Sequence, residues 1–297
     1  MTKRKSASND EAPTKDKMDV EGEDSGSDDD GDLDVDFEFF DPSPEVDFHG
    51  LKILLRQLFD VDNQLFDLSE LTNMILAQPL LGSTVKCDGN ESDPYAFLTV
   101  LNMHQHRSKP VIQQIIQYLT SKTRGQQNSS PLKDLPRLLE PNSSDAQVGL
   151  ILTERFINMP HQTVPSMYNM LLEEIRWANE EKEPYQFTHY LIISKTYTEV
   201  ESKLDAEDDR PQKKTKKASG AAETFYFHPE DEVLQKHAVG TCSFEYSKQG
   251  EEGASDAKRA FQEMGIKPQG HLILVEAGKF EGAVKAVHEY LGGPEAA

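Results

Sequence analysis

The sequence predicts an α/β (α+β) domain, a central mixed sheet flanked by helices, with an acidic tail before it and a strand–helix extension after it. Three observations carry this. Val148-Gly149-Leu150-Ile151-Leu152 is a short apolar run of the kind found in a strand covered on both faces. A turn at Asn158-Met159-Pro160 ends the segment, and from about Pro165 the residues Tyr168, Leu171, Leu172 and Ile175 recur at helical spacing. A buried strand feeding a helix that returns across the sheet is the basic α/β unit. Apolar segments of strand and helix period then alternate on both sides of this unit.

Residues 1–36 are not expected to fold. Between Asp19 and Asp36 there are 10 acids and no base, with Gly and Ser in the gaps, so little apolar surface offsets the entropy of ordering. The tail reads either as a solubilising segment or as a flexible anionic arm that competes for a basic surface. Order begins at Phe37-Glu38-Phe39-Phe40, a short aromatic strand stopped by Asp41-Pro42. From Asp47 the spacing of Phe48, Leu51, Leu54, Leu55 and Leu58 predicts an amphipathic helix. A second helix follows, capped by Asp67, with Glu70 in the capping-box position and Pro79 at its end.

Two strands are predicted around Ser83–Cys87 and Tyr95–Met103, joined by the turn sequence Asp88-Gly89-Asn90. Ser108 is placed to cap a helix whose second residue is Pro110 and whose buried face is Val111, Ile112, Ile115, Ile116 and Leu119. Residues 123–146 are polar and read as a long surface loop. Phe187–Val200 reads as a long strand, and Phe225-Tyr226-Phe227 resumes strand character after a low-complexity stretch over 203–222. Val239–Tyr246 and His271–Glu276 are further strands. Ser255–Met264 reads as a helix closed by Gly265, and Phe280, Ala283, Val284, Val287 and Leu291 make a last one. The domain therefore spans 37–297.

A chain of 297 residues can bury one good-sized core or two modest ones. Its net charge of −21 and pI near 4.8 argue against a nucleic-acid binder, which needs clustered cations, and favour a basic protein partner. Residues 1–36 hold 13 acids and 5 bases, leaving 39 acids and 26 bases, or −13, on the remainder. Cys87 and Cys242 give no disulfide framework and read as packing residues in a reduced, intracellular compartment. No apolar stretch approaches a membrane span, and the charged N-terminus is not a signal peptide. Lys213, Lys214, Lys216 and Lys217, and secondarily Lys3-Arg4-Lys5, are candidates for a nuclear-import signal, with a solvated charged segment as the alternative.

The element order β, α, α, β, β, α, β, α, β, β resembles the GNAT acyltransferase fold. In those enzymes the N–H groups of a Gly-rich turn between a central strand and the next helix hold the cofactor pyrophosphate. The matching place is taken as His104-Gln105-His106-Arg107-Ser108-Lys109-Pro110, which has no glycine and loses a donor at Pro110. An N-acyltransferase using acetyl-CoA is thus a rival reading carried by element order alone. His104 and His106 could share a strand face and hold a metal, but no third ligand at the right spacing supports them. Glu154 as general base with Tyr168 as general acid is weighed against a salt bridge from Glu154 to Arg155. No catalytic residue, cofactor site or metal site is assigned.

Three stretches together resemble the BCCIP family: Phe39-Phe40-Asp41-Pro42 with Asp47-Phe48-His49-Gly50-Leu51-Lys52, then Glu154-Arg155-Phe156-Ile157-Asn158-Met159-Pro160, then Phe225-Tyr226-Phe227-His228-Pro229-Glu230-Asp231-Glu232. The most specific residues are Glu154, Arg155, Phe156, Ile157, Asn158 and Pro160. The resemblance implies a GNAT-like pseudoenzyme, a nuclear protein that shuttles to the cytoplasm and works in nuclear export and ribosome biogenesis. It implies chaperoning of a basic large-subunit ribosomal protein (number fourteen in the universal naming) and export of a phosphatidylinositol-phosphate kinase, with nuclear transport factors as further partners. The acidic balance and the lack of an apolar span argue, separately from the resemblance, against direct nucleic-acid binding and membrane insertion. Animal members are associated with a breast-cancer susceptibility protein and a cyclin-dependent-kinase inhibitor, so a scaffold in DNA repair or cell-cycle control is the other rival.

Overall fold

The computed structural model describes residues 36–78, 81–124, 132, 134–140, 146–199, 224–249 and 266–292. The acidic tail, the Lys clusters, the 203–222 stretch and the Ser255–Met264 helix lie outside them. The elements run β1 (Glu38–Phe40), α1 (Phe48–Phe59), α2 (Leu68–Leu76), β2 (Ser83–Lys86), β3 (Ala96–Asn102), α3 (Pro110–Arg124), α4 (Leu135–Leu138) and β4 (Val148–Arg155). They continue with α5 (Val164–Glu180), β5 (His189–Glu199), β6 (Thr224–Tyr226), α6 (Pro229–Leu234), β7 (Gly240–Phe244), β8 (Ile266–Glu276) and α7 (Ala277–Leu291).

The eight strands form one mixed sheet in the order β1-β2-β3-β4-β5-β8-β7, with β6 paired to β5. β4 lies at its centre, as its apolar run predicts. Among the described residues only β4 and β5 are parallel; the other pairs are antiparallel. Alternate residues point to opposite faces. Leu150 and Leu152 of β4 therefore join the core beneath α1, α2 and α3, while Ile151 joins the core beneath α5 and α7.

Several local expectations change once the parts pack. Asp67 does cap α2, accepting from the N–H groups of Ser69 and Glu70. Glu70 does not close a capping box. It accepts from Val111 N at 3.2 Å, while Gln114 of α3 takes the Asp67 N–H at 3.1 Å, so the two helices serve each other's ends. α3 begins at Pro110, and Gln113 N donates to Lys109 O, so the residue flanking the helix start is Lys109 and not Ser108. Residues 123–146 are not simply a surface loop. Leu132, Leu135 and Leu139 are buried against α3, a stripe at helical spacing that the surrounding polar residues and Pro136 hide.

Asp47 precedes α1 without capping it. Its carboxylate takes the Ser43 N–H at 2.7 Å and pairs with Lys86 Nζ at 2.6 Å, both side chains fully buried. The helix start is thereby tied to β2. Gly50 makes the approach possible, because a Cβ there would lie 2.4 Å from Pro94 Cδ. Replacing Gly50 with Ala should lower stability by about 1–3 kcal/mol through overpacking, read from the denaturation midpoint. An unchanged midpoint would mean that the 93–94 turn simply gives way.

Candidate functional site

β4 and β5 pair only over Val148–Ile151 and His189–Ile192. Beyond that point β4 stays with β3, whereas β5 continues along β8 and takes β6 on its freed edge. The two parallel strands splay apart, and the gap is filled by charged side chains of the chain itself.

Glu154 and Arg155 are neighbours on β4 and so face opposite sides of the sheet. The expected Glu154–Arg155 salt bridge does not form for that reason. Glu154, fully buried, pairs instead with Lys195 Nζ of β5 at 2.5 Å and accepts from His228 Nε2 at 2.9 Å. On the other face, Arg155 grips Glu230 of α6 with both terminal nitrogens, NH2 to Oε2 at 3.0 Å. Ser194 donates to Asp231 Oδ2 beside it. Gln57 of α1 closes the gap from the first face, donating to Arg155 O at 2.9 Å while its own carbonyl accepts from Lys195 at 3.2 Å.

Pro229 at the first turn and three acids after it are good helix-start signals, so α6 was detectable in principle. Its burial was not. Glu230 and Asp231 are each 1 % exposed, and no hydrophobicity pattern marks a carboxylate as interior.

The electrostatics suit cohesion. Burial pushes the Glu154 carboxyl up, but Lys195 and the His228 hydrogen bond outweigh it and hold the group at about 2. A base so weak is poorly matched to proton abstraction near neutral pH. Tyr168 is completely buried beside Phe280, and burial followed by the charges of Asp231 and Glu230 raises its phenol well above the usual range. Asp231 behaves differently: burial, then Glu230, raises it to about 7.

The other candidates fall elsewhere. β3 ends at Asn102, whose side-chain oxygen accepts from the N–H groups of His104 and Gln105, and the chain curls. His104 and His106 therefore share no strand face. His104 Nδ1 accepts from Val148 N and Nε2 donates to Leu138 O, which occupies both ring nitrogens. The N–H groups of His106, Arg107 and Lys109 go to carbonyls of the same turn, so 104–110 forms no phosphate cradle. The strand-to-helix turn of the parallel crossover is 156–163, and it too lacks glycine. Cys242 is buried and Cys87 half-buried, neither in a disulfide among the described residues, and burial pushes the Cys87 thiol up, away from reactivity. No helix among the described residues is long and apolar enough to cross a membrane.

The cluster thus joins two of the stretches that carry the family resemblance, Glu154-Arg155 with His228-Pro229-Glu230-Asp231. Comparison with known proteins agrees with that resemblance. The BCCIP family profile matches residues 32–234, ending at the last residue of α6. "Protein bcp1" of Aspergillus fumigatus is 60% identical over 258 residues, 87% of each chain. "Protein bcp1" of Schizosaccharomyces pombe is 51% identical over 255 residues, 85% of this chain and 88% of that one. The crystal structure of BCP1 from Saccharomyces cerevisiae superposes with a TM-score of 0.58 at 27% identity, covering 91% of this chain and 93% of that one.

Proposed function

Because the chain belongs to the BCCIP family, we propose that it is a non-enzymatic nuclear chaperone and export factor that works by stoichiometric binding. Its client is a basic protein of the large ribosomal subunit, number fourteen in the universal naming, held until delivery to assembling ribosomes. It also supports nuclear export of a phosphatidylinositol-phosphate kinase, and it shuttles between nucleus and cytoplasm.

The observation that carries this reading is the closed gap between β4 and β5. In a GNAT-like scaffold a parallel pair that opens beyond its first residues would be the seat of a coenzyme. Here the chain's own side chains fill it, Glu154 with Lys195 and Arg155 with Glu230 as ion pairs and His228 by its hydrogen bond to Glu154. A pseudoenzyme with a closed cleft retains its surfaces, and the net charge of −13 over residues 37–297 suits them to a cationic client. Association should be fast and should weaken as salt rises.

Co-expression with the ribosomal protein tests this: soluble complex should increase with the chain present and fall across a salt series. An equal soluble yield with and without the chain removes the proposal. Calorimetric titration of acetyl-CoA separates the acyltransferase rival, and no binding heat is expected. Changing Lys213, Lys214, Lys216 and Lys217 together to Ala should reduce nuclear accumulation of the tagged protein. An unaltered distribution would assign import to Lys3-Arg4-Lys5 or to a carrier.

A further inference from the structure

The two splayed strands end on a rim whose composition differs from a generic acidic surface. Ile157, two residues beyond β4, is fully exposed. Phe227, at the start of the segment that enters the gap, is 46% exposed. It packs edge-on against Tyr197, which stacks on Phe225, and Lys195 Nζ lies 5.6 Å from its ring centre. β4 and β5 are parallel, so these apolar groups share one end of the sheet.

Charge surrounds them on both sides. Glu45 before α1 and Asp88, Glu91 and Asp93 in the β2–β3 connection are exposed on one side, and Glu199 at the tip of β5 on the other. None of these acids has an ion pair among the described residues. Of the cations near this end, Lys86, Arg155 and Lys195 are engaged in buried pairs and Lys267 with Glu245 at the surface, while Arg56 of α1, beside Gln57, is exposed. The exposed charge flanking the apolar centre is therefore predominantly anionic.

We propose that this rim is a docking face for a cationic protein segment that carries an apolar side chain between its basic residues, the anchor seating between Ile157 and Phe227. Complementary charge draws the segment in and fixes its orientation, while the apolar contact supplies the selectivity that exposed ion pairs lack. The inference deepens the chaperone reading and rests on it for the identity of the client.

The test uses the full chain and a labelled 20-residue Lys/Arg peptide with a central Leu pair, followed by fluorescence anisotropy. Ile157→Asp lies at a fully exposed position and leaves the fold intact; it should weaken the peptide about tenfold. Glu45→Lys, Glu91→Lys and Glu199→Lys together should weaken it at least as much. The equally charged set Glu173→Lys, Glu180→Lys and Glu181→Lys, on and just after α5, should change it little. Equal loss from both charge sets with Ile157→Asp silent means diffuse attraction and overturns the proposal. So does tighter binding after Lys213, Lys214, Lys216 and Lys217 are changed to Ala with Ile157→Asp silent, which would make the chain's own segment the occupant. Repeating the series with the ribosomal protein separates the two ideas. If the peptide obeys the rim variants and the ribosomal protein ignores them, the client assignment fails and the face stands.

Discussion

Arg155→Met should lower stability by about 3–5 kcal/mol, the largest effect expected from a single side chain here. The guanidinium holds Glu230 through two parallel hydrogen bonds in a site where neither side chain is more than 10% exposed. Removing it leaves a buried carboxylate without its partner, next to Asp231, a second carboxyl in the same turn. Water cannot reach Glu230 unless α6 lifts from the gap. The double variant Arg155→Met with Glu230→Met should therefore recover most of the loss, because burying the pair carries its own desolvation cost. Urea unfolding of wild type, both single variants and the double variant measures the coupling. If Arg155→Met shifts stability by less than about 1 kcal/mol, the pair does not hold α6 in place.

Asp231→Asn and His271→Asn should tilt the pH dependence of stability in opposite directions. Asp231, fully buried, is raised from 3.8 to about 7 by burial and Glu230, against His228, the Ser194 hydroxyl and Arg155. The folded state thus keeps a proton that the unfolded chain releases, and stability falls as pH rises from about 4 to about 7. His271 lies opposite Ser194 in the β5–β8 register, 2.8 Å from the Ser243 hydroxyl and against the Tyr226 ring. Burial lowers it from 6.5 to about 4. Its contribution is complete above pH 6.5 and is lost as pH falls towards 4.

The two slopes oppose each other, each on the order of 1 kcal/mol per pH unit, so these two contributions should largely offset each other in wild type between pH 4.5 and 6.5. Asp231→Asn should expose a rise with pH, and His271→Asn a fall. Below about 4.5 all three should weaken, because Glu154, depressed to about 2, takes up its proton first in the unfolded chain. Parallel profiles for wild type and both variants would refute this balance.

The contrast between β4 and α6 shows how far the sequence is legible. Val148–Leu152 is uniformly apolar, and a strand apolar on both faces belongs at the middle of a sheet, where β4 is found. The α1, α5 and α7 faces read correctly for the same reason, since a helix repeats its buried side every three or four residues. α6 defeats that logic: its buried Glu230 and Asp231 look like solvent-facing residues until Arg155 and Ser194 are placed beside them.

The sequence by itself determined the strands and helices with strong apolar periods, the acidic balance and the absence of a glycine cradle, because these depend on residues close along the chain. Tertiary structure alone decided which charges meet. Glu154 finds His228 across 74 positions, Arg155 finds Glu230 across 75, and Gln57 reaches the Arg155 carbonyl across 98. Ion pairing is isotropic and leaves no period in the sequence, so the closure of the gap between β4 and β5 becomes visible only when the splay of the strands brings those side chains together.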